Sequence, residues 1–236
     1  MKKTLLSLLL SAVVAAPAAL AGEHEHGDVA VAQKFIREVM ATQANYGKAR
    51  GGKFFGELAK GQHPRATIVT CSDSRVHTNM LDKTPEGDLF VIRNIGNQFA
   101  TAQGSVEYGV NHLASSLLLF IGHSSCGAIH AASGDYSKLE PAIVKELDTI
   151  KIAKGGANID GVMTNVRNQV GAAMTDFAGK VKDGQLLVVG AVYDFADDMK
   201  QGAGKLNVID VNGETDPARI QALLAGASAA QPAGHH

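Results

Sequence analysis

Cys71-Ser72-Asp73-Ser74-Arg75 places a thiol, a carboxylate and a guanidinium at alternate positions of one short stretch. About fifty residues on, Gly122-His123-Ser124-Ser125-Cys126-Gly127 adds an imidazole and a second thiol three residues apart. Two thiols and one imidazole are soft or borderline donors. As a set they suit zinc with one coordination position left over for water. The bland alternative is a single disulfide, because Cys71 and Cys126 are the chain's only two cysteines. A disulfide needs neither Asp73 and Arg75 after the first cysteine nor His123 before the second. A metal site with an activated water uses all of them.

Each motif follows an apolar run. Ala66–Thr70 and Leu117–Ile121 are β-branched or aliphatic segments of strand length, so both read as buried strands that deliver the motifs at their ends. Leu89–Ile92, Leu186–Val192 and Lys205–Val211 read as further strands, the last as an antiparallel edge. Helical spacing is expected from Val29 to about Tyr46, Lys53 to Lys60, Ala102 to Ala114, Cys126 to Ala132, Pro141 to about Ala153 and Ile159 to about Lys180, with a short last helix after Asp216-Pro217. Strands alternating with helices imply an α/β fold with a mostly parallel sheet of four to five strands flanked by helices. In such sheets ligands gather beyond the carboxyl ends of strands, where the winding direction switches.

The chain has 236 residues and a formal net charge of −1. Its acids and bases are mixed along the sequence, which gives no basic stripe for nucleic acid. Met1-Lys2-Lys3, an apolar run from Leu5 to about Ala15 and Ala19-Leu20-Ala21 form the charged, apolar and small-residue parts of a secretory signal. The organisation expected is therefore a signal peptide over 1–21 cleaved after Ala21, one domain over 22–225 and a loose tail over 226–236. The location expected is a bacterial periplasm or the exterior, with no membrane contact after cleavage. His24 and His26 at the mature start read as a solvated terminus.

Cys-x-Asp-x-Arg at 71–75 together with His-x-x-Cys at 123–126 resembles the β-class carbonic anhydrases. Gly61-Gln62-His63-Pro64, Phe90-Val91-Ile92-Arg93-Asn94, Val106-Glu107-Tyr108 and Val192-Tyr193-Asp194 resemble family segments too. They stand in family order over about Ala30 to Val211. The resemblance implies one Zn2+ per subunit held by Cys71, His123 and Cys126. It implies reversible hydration of CO2 to bicarbonate and a proton, by attack of a zinc-bound hydroxide on CO2. Asp73 would orient that hydroxide and Arg75 would hold Asp73; in some family members the aspartate instead becomes a fourth zinc ligand in a closed state. Gln62, Phe90, Ile95, Tyr108 and Gly127 would bind or enclose the substrate, at a subunit interface of a homodimer or tetramer. His77 stands where a proton shuttle could, although a surface histidine is the plainer reading.

Two other readings stay open at this point. One keeps fold and zinc but takes CS2 or COS as substrate. The other is a non-catalytic zinc-binding periplasmic protein.

Overall fold

The structure is a computed structural model, described here for residues 28–226. The expected leader (1–21), His24 and His26, and all of the tail except Gly226 lie outside the described residues. The chain divides into two compact units, one reaching to Phe55 and one beginning at Gly56.

Helix α1 runs from Val29 to Leu58 and is interrupted at Gly51, where φ is 75° and ψ 169°. The interruption falls within Arg50-Gly51-Gly52, where the sequence places a turn, at the residue with a left-handed φ, a conformation glycine adopts without steric cost. No residue of α1 is buried, and Phe35, Ile36, Val39 and Met40 are all exposed.

The second unit carries one five-stranded sheet: β1 (Ala66–Cys71), β2 (Leu89–Asn94), β3 (Leu117–His123), β4 (Leu187–Asp194) and β5 (Lys205–Val211), in the order β2-β1-β3-β4-β5. The first four are mutually parallel and β5 is antiparallel to β4, as the sequence led us to expect. The chain moves one way from β1 to β2, then returns to lay β3 on the other side of β1. The winding thus switches between β1 and β3, the two strands that end in Cys71 and His123.

Helices α2 (Gln103–Glu107), α3 (Gly127–Ser133), α4 (Pro141–Leu147), α5 (Ile159–Asp176), α6 (Ala178–Lys182) and α7 (Pro217–Leu224) complete the unit. The helix expected over Ala102–Ala114 changes to a π-helical turn at Tyr108–His112. There Gly109 passes so near β1 that a Cβ on it would lie 2.2 Å from Thr67 Oγ1. The Pro141 helix stops at Leu147 and the long helix breaks at Phe177, both earlier than periodicity alone suggests. Asn158 caps α5 through the Gly161 N–H, and Asp216 caps α7 through the Arg219 N–H, as short polar side chains do at helix starts.

Helix α5 lies close on the sheet because glycines face it. A Cβ on Gly122 would sit 2.7 Å from Val166 Cγ2, and one on Gly190 would sit 2.7 Å from Val166 Cγ1. This close seating buries Val162, Val166 and Val170 against β3 and β4. It also fixes the end of β3 that carries His123.

Candidate metal centre

The ligand atoms offered by Cys71, His123 and Cys126 all lie within 4.8 Å of one another. Strand β1 delivers Cys71 as its last residue, β3 delivers His123 as its last residue, and Cys126 is the residue before α3. All three are buried: Cys71 to 5%, Cys126 to 4% and His123 to 0% exposure. Both cysteines are free thiols, so the disulfide alternative is not the arrangement found.

The imidazole is oriented for a cation. Nδ1 lies 2.9 Å from the Ser124 carbonyl oxygen, which can only accept, so Nδ1 carries the proton. Nε2 then presents a lone pair, and this buried atom has no hydrogen-bond partner. An orphaned acceptor beside two sulfurs is costly in a protein interior unless something occupies it. A histidine whose other nitrogen donates to a carbonyl is the usual arrangement of a metal ligand. The residues therefore fit zinc.

The sulfurs are electrostatically coupled. The neighbouring Cys126 thiol, followed by the His123 side chain and the backbone N–H groups of Gly96 and Asp73, pulls Cys71 below the ordinary thiol value in spite of burial. Cys126 is pushed up, first by its bond to Cys71 and then by burial, although N–H groups of Ile129 and Ala128 at the start of α3 favour its anion. A dication beside the pair would favour the thiolate form of both.

Asp73 and Arg75 meet as the sequence predicts. Arg75 Nε and Nη2 donate to Asp73 Oδ1 and Oδ2 at 2.9 and 2.7 Å, and the Arg75 backbone N–H donates to Oδ1 at 2.9 Å. The guanidinium holds the Asp73 carboxyl down to about 2, more than offsetting its partial burial. Asp73 Oδ2 is 3.8 Å from His123 Nε2, so the carboxylate faces the ligand set. Arg75 also donates to the Ser125 carbonyl at 3.1 Å, joining the turn after β1 to the turn after β3.

The other predicted site residues are distributed unevenly. Ile95 packs in the cluster that contains both cysteines. Gly127 opens α3, and a Cβ there would meet nothing within 4 Å. Gln62 precedes β1 at its opposite end. Phe90 pairs with Thr67, four register positions from the Cys71–Asn94 pair, a separation of roughly 13 Å along a strand. Tyr108 stays with Phe90, ring centroids 5.9 Å apart, and is itself half exposed. Within one chain, Gln62, Phe90 and Tyr108 therefore share the far end of β1 from the ligands.

Four further residues shape the centre without having been singled out for it by the sequence. Arg93 Nε donates to the Cys71 carbonyl at 3.1 Å and Nη2 to the Asp73 carbonyl at 2.6 Å, pinning the turn that bears both. Ser124 donates its hydroxyl to the buried Asp194 at 2.6 Å. Phe195 stacks on the His123 ring. Arg93 and Asp194 belong to recognisable segments, but only their contacts reveal what they hold.

Comparison with known proteins agrees with this geometry. The family profile for carbonic anhydrase matches residues 66–200. A carbonic anhydrase of Synechococcus elongatus is 45% identical over 82 residues, 32% of this chain and 30% of that protein. The chain thus spans about a third of the length of that relative, and likewise of those from Synechocystis (30%) and Mycobacterium tuberculosis (37%). A carbonic anhydrase of Pseudomonas aeruginosa is 31% identical over 182 residues, covering 67% of this chain and 79% of that one. Among solved structures, a tetrameric β-carbonic anhydrase of Sordaria macrospora superposes with a TM-score of 0.60 at 25% identity, over 75% of this chain and 96% of the other. The Coccomyxa β-carbonic anhydrase solved with acetazolamide superposes at 0.61 with 24% identity, over 79% and 90%, and so shares the fold. Profile, relatives and the Cys-His-Cys centre at the switch point lead to one conclusion: this chain belongs to the β-class carbonic anhydrase family.

Proposed function

We propose that the protein catalyses the reversible hydration of CO2 to bicarbonate and a proton. The observation that carries this reading is the ligand trio with a carboxylate oxygen, Asp73 Oδ2, 3.8 Å from His123 Nε2. Cys71, His123 and Cys126 would hold one zinc ion. Zinc in such a site supplies Lewis acidity that makes a water a competent nucleophile near neutral pH.

The chain's own groups do the rest. A carboxylate oxygen has two lone pairs. Oδ1 of Asp73 accepts two bonds from Arg75 and is filled, whereas Oδ2 accepts one and has a lone pair left. Oδ2 is thus the atom that accepts a hydrogen bond from the attacking water and sets the direction of its attack. Arg75 keeps that carboxylate ionised, and Arg93 keeps the turn beneath it in place.

A second copy completes the site. Gln62, Phe90 and Tyr108, the residues suited to hold and enclose a small apolar substrate, are separated from the ligands by the length of β1 in their own chain. A neighbour running the other way brings its set to this centre. The exposed apolar row of α1, from Phe35 to Met40, gives such a copy surface to bind. The assembly is a homodimer or a multiple of one. Export to a periplasm or the exterior rests on the charged, apolar and small-residue segments of 1–21. An intact mass beginning at Gly22 checks it.

Subunit mixing tests site sharing and reaction together. Gln62→Ala and Asp73→Asn homodimers should each be nearly inactive in stopped-flow CO2 hydration. After dissociation and reassembly as a mixture, half of the dimers are hybrids with one intact site each. Activity should then recover to about a quarter of the unaltered protein's. No recovery would remove the shared site, and no hydration by the unaltered zinc-loaded protein would remove the reading altogether.

A further inference from the structure

The connection between β4 and β5 turns back over the metal centre, and its first residue touches two of the centre's side chains at once. The Phe195 ring stacks on the His123 imidazole, centroids 5.9 Å apart and planes 27° from parallel. The Arg75 guanidinium carbon lies 4.7 Å from the centroid of the same ring. Tyr193 meets it edge to face at 5.7 Å. One aromatic ring therefore bridges a ligand and the arginine that holds Asp73.

The connection is anchored where this contact is made. The fully buried Asp194 carboxylate accepts the Ser124 hydroxyl at 2.6 Å, the Asp198 N–H at 3.0 Å and the Met199 N–H at 2.7 Å. Burial raises the Asp194 carboxyl, but these donors outweigh it and keep it below the usual carboxylate range. The Gly204 N–H closes the far end on the Asp194 carbonyl at 2.7 Å, and Met199 packs into the cluster that holds both cysteines. Ser124 adjoins His123 in the chain, so the anchor fixes Phe195 relative to the imidazole.

Arg75, already bonded to Asp73 and to the Ser125 carbonyl, gains a further constraint here. Its side chain is 49% exposed, and an exposed ion pair alone is weakly held against solvent. The Phe195 face supplies an attraction the water side does not, since a guanidinium over an aromatic ring gains from the ring's quadrupole. Aliphatic packing of the same size would not.

We propose that Phe195 is a positioning residue: its ring clamps the Arg75 guanidinium and the His123 imidazole in register, so that Arg75 presents Asp73 to the metal centre in one orientation. The clamp acts through Arg75 and His123 and leaves the reacting atoms to others. Its kinetic consequence rests on the proposed hydration reaction, whereas its effect on the Arg75–Asp73 pair does not.

The test compares Phe195→Leu, which keeps apolar bulk without a π face, with Phe195→Tyr, which keeps both. The first readout is exchange with solvent of the Arg75 Nε–H, followed by NMR on arginine-labelled protein; this proton is held by Asp73 Oδ1 at 2.9 Å. The leucine variant should exchange it roughly fivefold faster, and the tyrosine variant should match the unaltered protein. The second readout is stopped-flow hydration by zinc-loaded protein: kcat should fall roughly tenfold in the leucine variant, with KM and zinc content held, and tyrosine should restore it. Equal exchange in the leucine and tyrosine variants would overturn the clamp, leaving Phe195 as packing only. If the unaltered protein does not hydrate CO2 but the exchange difference appears, the clamp stands and the assigned reaction fails.

Discussion

Replacing Cys71 with alanine is expected to leave protein that no longer retains zinc and hydrates CO2 no faster than buffer. The substitution removes one of only three donors, and the remaining pair, Cys126 and His123, cannot neutralise a dication with a single thiolate. Loss of a group that merely orients a ligand costs about 10–100-fold in metal affinity, so loss of the ligand itself should exceed the upper end of that range. The centre lies at the end of β1 inside a cluster with Ile129, Leu147, Val162 and Val166. Alanine leaves that apolar surround intact, so the chain should fold. Competition against a chromophoric chelator measures the affinity, and stopped flow measures the rate. Stoichiometric zinc in the purified variant would contradict the ligand assignment.

The second large effect is at Asp73, and it separates binding from catalysis. Asp73→Asn keeps size and shape but replaces one carboxylate oxygen with an NH2 group that has no lone pair to offer. Either that group faces Arg75 and breaks the double hydrogen bond, or it faces the centre and removes the acceptor that the attacking water needs. Loss of a positioned proton acceptor typically costs about 10²–10⁴-fold in rate. We expect kcat to fall by at least ~100-fold, with zinc content unchanged because no ligand is touched. Stability should barely move, since the Arg75 side chain is half exposed and regains water when its partner is lost. A variant with kcat within threefold of the original would remove Asp73 from the mechanism.

The sequence and the structure part company in instructive places. Cys71, His123 and Cys126 could be read because each motif directly follows an apolar run, and the chemistry of the donors restricts what they can do together. The parallel sheet and its antiparallel edge followed from strands alternating with helices, and Lys205–Val211 lies where periodicity puts it. The helix at Tyr108 was legible as a helix, but its π-helical turn was not. That turn comes with the close approach of Gly109 to Thr67, a contact between segments about forty residues apart. Phe195 was invisible for a different reason. An apolar residue after a strand is ordinarily core, and only the positions of Arg75 and His123 on the ring reveal another role. Gln62, Phe90 and Tyr108 carry the subtlest lesson. Their residue types suit a substrate pocket, yet within one chain they lie at the end of β1 away from the ligands, and spacing along the sequence does not reveal that separation.

Native mass spectrometry of the protein purified without reductant or added metal bears most directly on the trio of ligands. Each chain should carry one zinc ion with two protons displaced, and both thiols should become alkylatable only after the metal is chelated. A chain two hydrogens lighter than its sequence, holding no metal and with no thiol to alkylate, would mean that Cys71 and Cys126 are bonded to each other, and neither the centre nor the chemistry assigned to it would survive.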